Sequence, residues 1–188
     1  MQPTKKQDLF IITGASGVGK TSACEVLFQK ETDYIVMESD LLWRSEFNNP
    51  ENDYQEYRSL WMRVCANIAQ IGMPVVLCGC GIPKQFELRG ERTLFKEIHY
   101  IAIVADDACL EKRMREGRKI TEEEWIQSSK EFNRWLKENA ERTEPKITLI
   151  DSTNLTIEQV ADQIDIILHD DIKDMAAITK EVYQKRLF

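Results

Sequence analysis

The chain has 188 residues, 43% of them hydrophobic and 30% charged, which is room for one domain with its own core and excludes a disordered or fibrous chain. Its net charge of -7 argues against a dominant nucleic-acid or anionic-membrane surface, because such surfaces need a cationic excess. Cys24, Cys65, Cys78, Cys80 and Cys109 are odd in number, and with only His99 and His169 as histidines they suggest neither a disulfide framework nor a zinc site.

The apolar stretch Leu9–Ile12 is too short for a signal peptide. Val64–Pro83 has no charged residue and is long enough to span a membrane. Its pattern changes at Gly72-Met73-Pro74, however, and reads as a helix end, a turn and a buried strand. The reading is a cytoplasmic protein with no membrane and no nucleic-acid partner, acting as a monomer or homodimer.

In chain order, Leu9–Thr13 reads as the first strand, and Ala23, Cys24, Leu27 and Phe28 follow at helical spacing. Tyr34–Met37 is a second short strand ending in Glu38-Ser39-Asp40. Tyr54, Tyr57, Trp61, Val64, Ile68 and Ile71 place six side chains on one helix face, which Gly72 ends. Pro74–Cys78 and Ile98–Ala105 are strands three and four, the latter followed by a helix capped by Asp106 or Asp107. Thr121 with Glu124 predicts a capping box, with Ile120 and Trp125 as its hydrophobic staple. Lys146–Ile150 is strand five. Thr156 with Gln159 predicts a second box, Leu155 with Val160 its staple, and a helix follows. Ile172–Leu187 is expected to form a terminal helix.

This alternation predicts an α/β fold with a mostly parallel sheet, whose strands are buried on both faces. Ligands gather at the carboxyl ends of such strands. Gly14-Ala15-Ser16-Gly17-Val18-Gly19-Lys20-Thr21 stands at the first of those ends and fits G-x-x-x-x-G-K-[ST]. Backbone N–H groups of such a loop wrap a phosphate, and the helix that follows turns its positive end to the same anion. Lys20 then reaches the outer phosphates and the Thr21 hydroxyl can ligate magnesium.

At the second end, Glu38 and Asp40 share a side if the chain stays extended. One could hold magnesium through water and the other orient or deprotonate an acceptor hydroxyl; alternatively Asp40 only caps a helix. Gly79, Cys80 and Gly81 at the third end allow close approach of a ligand, or form a plain turn, with Cys80 read as lining and not as a nucleophile. Arg113 and Arg118 are lid candidates that would neutralise charge during transfer, and Arg113 could also flank an adenine ring. Arg44 and Arg58 could meet an acidic acceptor, or pair at the surface.

These residues resemble the small P-loop kinases of the shikimate and gluconate kinase type. Gly14–Thr21 is similar to their phosphate loop, Glu38-Ser39-Asp40 to their paired acids, and Cys78-Gly79-Cys80-Gly81-Ile82 to their glycine-rich substrate loop. Tyr100–Lys119 resembles their strand, helix and lid, and Ile150–Leu155, with Asp151 and Thr153, their adenine-side loop. Glu38 stands where the shikimate type has Asp, and no arginine-rich lid follows Arg118.

The resemblance implies a three-layer P-loop nucleoside triphosphate hydrolase fold with a five-stranded parallel sheet of order 2-3-1-4-5. It implies one domain over residues 1–188, with a substrate-side segment at about 41–72 and a helical lid at about 113–140. It further implies ATP with Mg2+ and transfer of a phosphoryl group to a small-molecule acceptor such as a gluconate-like sugar acid. A nucleoside or nucleotide kinase, or an NTP-binding regulatory module without an acceptor, are the alternatives.

Overall fold

The computed structural model describes residues 6–30, 33–44, 47 and 49–185, with side chains through Ile172. Five strands form one sheet: β1 (Leu9–Thr13), β2 (Ile35–Glu38), β3 (Val75–Cys78), β4 (Ile98–Val104) and β5 (Ile147–Asp151). All neighbours are parallel, in the order β2-β3-β1-β4-β5. The sheet is therefore the one the sequence predicts, with strand limits shifted by a residue.

The uninterrupted apolar runs follow from burial on both faces. Successive residues of β1 alternate between two cores: Phe10 and Ile12 face one, Leu9 and Ile11 the other. The first core takes Ala23, Cys24 and Leu27 of α1 (Lys20–Phe28), together with Val160, Ala161, Ile164 and Leu168 of α6 (Ile157–Lys185). The second takes Tyr57, Trp61, Met62 and Cys65 of α2 (Gln55–Ile68) and Phe86 of α3 (Pro83–Glu87). Helix, sheet and helix give the three layers.

α4 (Asp107–Lys112) runs into a π-helical turn, Arg113–Gly117, and α5 (Glu123–Asn139) follows. Asp106 occupies the cap position of α4, but its side chain makes no capping bond. The capping box expected at Thr121 is likewise not formed. α5 starts two residues later, and the Thr121 N–H donates to the Glu122 carboxylate instead. The box at Thr156 does form: its N–H donates to Gln159 Oε1 at 2.9 Å and its hydroxyl accepts from the Gln159 N–H at 3.3 Å. The stripe on α2 is narrower than its sequence spacing suggests. A short 3-10 turn, Ala69–Ile71, rotates Ile71 outward to 65% exposure. The terminal helix expected over 172–187 is the continuation of α6 through Lys185; residues 186 and 187 lie outside the described residues. Among the described residues no helix is long and apolar enough to cross a membrane.

Candidate active site

The phosphate loop runs from the end of β1 into α1. Gly14, Gly17 and Gly19 all have positive φ, at 148°, 87° and 102°. At Gly17 a Cβ would also stand 2.7 Å from Met114 Cγ, so both dihedral and space require glycine. Lys20 Nζ folds back on the loop and donates to Gly14 O at 2.8 Å and Ala15 O at 2.9 Å. A cleft of about 520 Å³ opens over this loop. Gly17–Ser22 lie at one end, Leu155, Ile157 and Val160 at the other, and Arg113, Arg118 and Ser152 border it. One end is polar with a helix N-terminus, the other apolar, which suits phosphates and a base respectively.

The two arginines have different places. Arg113 Nη1 donates to Ser152 Oγ at 2.9 Å and Nη2 to Ser152 O at 2.8 Å, with Val18 O 3.4 Å from Nη1. It is tied to the loop after β5 and joins that loop to the phosphate loop. Arg118 reaches over the cleft. Its Nη1 donates to Ser16 Oγ, and its guanidinium lies 5.6 Å from the Trp125 ring centroid. Of the stretch 113–140 expected as a lid, residues 113–118 hold this position, whereas α5 packs Ile126, Asn133 and Leu136 into the body of the protein. Asp151 and Thr153 do not line the cleft. Asp151 Oδ1 accepts from the Thr153 N–H at 2.9 Å and its hydroxyl at 2.6 Å, so the pair shapes the turn while Ser152 between them faces the nucleotide side.

Glu38 ends β2 and is paired with Cys78 across the sheet, one strand from β1. Burial, and then the Asp40 carboxylate, push its carboxyl above the ordinary range, against hydrogen bonds from the Asp40 backbone, Cys78 and the Thr21 hydroxyl. Its Oε2 is buried with no partner among the described residues. A desolvated carboxylate oxygen left open beside a P-loop threonine is the donor set a hard divalent cation takes, so these residues fit Mg2+. Asp40 lies two residues on, in a 3-10 turn over Ser39–Leu42, and is exposed on the front of the sheet. No side-chain capping bond involves it at that turn.

Ser39, Tyr57, Arg58, Trp61, Gly79, Cys80 and Phe86 among others surround a second, far smaller hollow of about 10 Å³, room for a single water. Ser39 O holds its wall together, accepting from Tyr57 Oη at 2.5 Å and Trp61 Nε1 at 3.0 Å. The glycines of β3's exit permit close packing. A Cβ at Gly79 would meet Ser39 Oγ at 2.5 Å, and one at Gly81 the Phe86 ring at 2.7 Å. Cys80 is exposed at the surface of this concavity. Desolvation still pushes its thiol upward, more than Lys20 and Arg58 pull it down, so it stays protonated and is lining.

Arg58 is 8% exposed and donates from Nη1 to Asp53 O, with Asp53 Oδ2 3.4 Å away. Asp53 and Tyr54 enter α2 with φ of 53° and 55°, left-handed conformations that non-glycine residues rarely hold. Arg44 is exposed on the segment after the Asp40 turn and does not line either pocket.

Three residues to which the sequence assigned no role in the site also shape it. Thr13 Oγ1 donates to Gly81 O at 2.7 Å and accepts from Gly81 N at 3.1 Å, stitching the strand before the phosphate loop to the substrate-side loop. Ser152 anchors Arg113, and Trp125 supports Arg118. Thr13 is visible in the sequence as a polar residue closing an apolar strand. The other two carry no local signal.

No family model matches the sequence, and no curated protein matches it. Solved structures do. A gluconokinase from Sinorhizobium meliloti 1021 aligns with a TM-score of 0.68 at 15% identity, over 92% of this chain and 97% of that one. The tunicamycin resistance protein of Deinococcus radiodurans gives 0.60 at 20% identity, over 87% and 96%. A sugar kinase from Janibacter sp. HTCC2649 gives 0.55 at 18%, over 85% and 92%. At these identities the likeness is one of fold: a three-layer α/β architecture on a parallel sheet of order 2-3-1-4-5.

Proposed function

We propose that this chain is an ATP-dependent kinase that transfers the γ-phosphoryl group to a hydroxyl of a small-molecule acceptor. The observation that carries the reading is the cleft of about 520 Å³ over the phosphate loop, with the Glu38–Asp40 strand end joined to that loop by the hydrogen bond between Thr21 and Glu38.

Gly14–Thr21 hold the phosphates through backbone N–H groups, and Lys20 exchanges its two carbonyl partners for phosphate oxygens. Thr21 and Glu38 would hold Mg2+, which when bound shields charge on the outer phosphates. Arg118 closes over the transferred group, and Arg113 sets the wall beside the base. Asp40 accepts the acceptor's hydroxyl hydrogen bond and then its proton. The acceptor oxygen bonds to the γ-phosphorus, and the bond from that phosphorus to the bridging oxygen breaks, its electron pair leaving with ADP. The acceptor is assigned to the side of Gly79, Cys80, Gly81 and Arg58, with Arg44 on the exposed segment after Asp40.

A sugar acid and a nucleoside both offer a hydroxyl to Asp40, so the catalytic residues serve either, and the choice falls to the walls of the pocket. An ATP-consuming enzyme whose five cysteines are free suits the reducing cytoplasm, as a monomer or homodimer.

The test is an acceptor panel with labelled ATP and Mg2+. Lys20→Ala is expected to lower kcat/KM by about 10²–10³, the scale of losing one preorganised charge-stabilising group, and Asp40→Asn to lower kcat by about 10²–10⁴, the scale of general-base catalysis. Full transfer by Asp40→Asn would exclude Asp40 as the base.

A further inference from the structure

The acceptor side carries an aromatic wall that handling a hydroxyl does not require. Trp43 follows Asp40 by three residues, and its N–H closes the turn on Asp40 O at 3.0 Å. Tyr57 meets the indole edge-on, with centroids 5.0 Å apart and planes at 88°, and Tyr54 lies 5.3 Å away at 41°. Two rings thus fix the indole, yet 48% of Trp43 remains exposed. Tyr57 lines the small hollow beside Ser39 and also supports Trp43, so an aromatic surface runs outward from that hollow past the Asp40 turn. A braced, half-open indole gains most from a flat ring laid against it, through area burial and offset stacking together. A polyol chain offers it neither.

The polar floor has matching chemistry. Arg58 is more than nine-tenths buried and lines the pocket, yet its Nε has no acceptor among the described residues. Asp53 beside it accepts from Gln85 Nε2 at 2.9 and 3.1 Å and from Arg58. Donors and acceptors of both signs stand together there. Such a set reads the edge of a ring carrying carbonyl and amine groups better than a lone carboxylate.

We infer that the acceptor carries a planar unsaturated ring that stacks on Trp43 while its hydroxyl reaches Asp40, a nucleoside-like compound and not a sugar acid. This rests on the kinase reading for the covalent step, which it leaves unchanged. Trp43 is then a specificity-determining residue.

The experiment uses the full chain with MgATP. Uridine, guanosine, uridine monophosphate, a benzyl-bearing diol and gluconate are offered, and phosphorylated product is measured. Binding of each is measured separately by calorimetry with MgADP present. Transfer is expected to at least one ring-bearing acceptor and not to gluconate, and the reactive members separate nucleosides, nucleotides and other aromatics as sources of the ring. Trp43→Leu, which keeps apolar bulk but no ring face, is expected to raise KM for that acceptor at least tenfold with the MgATP Kd within twofold. Trp43→Phe is expected to stay within threefold of the native KM.

Transfer to gluconate with every ring-bearing compound inert would overturn the inference and leave the kinase reading standing. Binding of a ring-bearing compound that Trp43→Leu abolishes, without transfer, would support the inference and overturn the kinase reading. Unaltered KM in Trp43→Leu, or neither binding nor transfer for any ring-bearing compound, would overturn the inference.

Discussion

Gly17 shows how one atom can govern the nucleotide side. Gly17→Ala must strain φ and push Met114, a fully buried residue, by about the width of a close contact. The expected outcome is a loss of about 1–3 kcal/mol in stability and at least a tenfold weaker MgATP affinity, read by denaturant melts and calorimetry. Arg118 offers the complementary case. It touches Ser16 and Trp125 at the surface and buries little, so Arg118→Ala is expected to leave the melting temperature within about 2 °C. Its effect should appear in kcat, lowered by about 10²-fold. Gly17 was legible through the phosphate-loop motif, and Arg118 as one of the basic residues that follow strand four. Asn133 was not. It is fully buried on α5, donates to Ala105 O at 2.7 Å and accepts from the Ala105 N–H at 3.1 Å, holding the exit of β4. A lone Asn among charged residues on an amphipathic helix gives no sign that it turns inward.

Among the elements, α6 is joined to the segment between α1 and β2 through two carboxylates, Asp162, which accepts from Lys30 Nζ at 2.8 Å, and Asp165. Asp165 accepts from Tyr34 Oη at 2.6 Å and from Lys30 Nζ at 3.4 Å. Desolvation pushes this carboxyl upward, but the hydrogen bond from Tyr34 and the charge of Lys30 outweigh it and hold the group below the ordinary range. A carboxyl with a depressed native pKa contributes stability that is complete above its unfolded value near 3.9 and is lost as pH falls through the native one. Asp165→Asn is therefore expected to cost about 1 kcal/mol at pH 7, after allowance for its partial exposure, and progressively less as pH falls below the ordinary carboxylate range. Thermal melts from neutral pH down through that range check it. The strands and α1 were readable because apolar runs and the glycine-rich motif are local. The start of α5 was not, since Thr121 and Glu124 satisfy the capping pattern while the chain is still completing the turn after Lys119, itself at φ 58°. The long apolar stripe of α2 likewise predicted the helix but could not show that its last turn tightens and turns Ile71 to solvent.

Across the whole molecule, the cleft proposed for the nucleotide lies at the carboxyl edge of the sheet and is lined by segments that are far apart in sequence: the phosphate loop, the turn bearing Arg113 and Arg118, and the loop after β5. Binding should stabilise the fold as a unit. At a hundredfold excess over Kd the gain is about 2.7 kcal/mol, and at roughly 2–4 °C per kcal/mol for a chain of this size the melting temperature should rise by about 5–10 °C. Scanning calorimetry with and without MgATP checks this. The parallel sheet followed from alternation, its strand order from the resemblance to the small P-loop kinases, and the phosphate loop from its motif. The acceptor side did not, because its walls come from β2's exit, α2 and β3's exit, and only the folded sheet brings Trp43, Arg58 and Cys80 to one edge.

The Thr13 hydroxyl has a corollary for how the two berths communicate. It is a single rivet, shared between the strand that feeds one ligand's cradle and the loop that floors the other's. Thr13→Val keeps the shape and removes the rivet. Each ligand should then dock almost as before when alone, while the mutual tightening of the ternary complex slackens, a change that paired titrations would register and single-ligand assays would overlook.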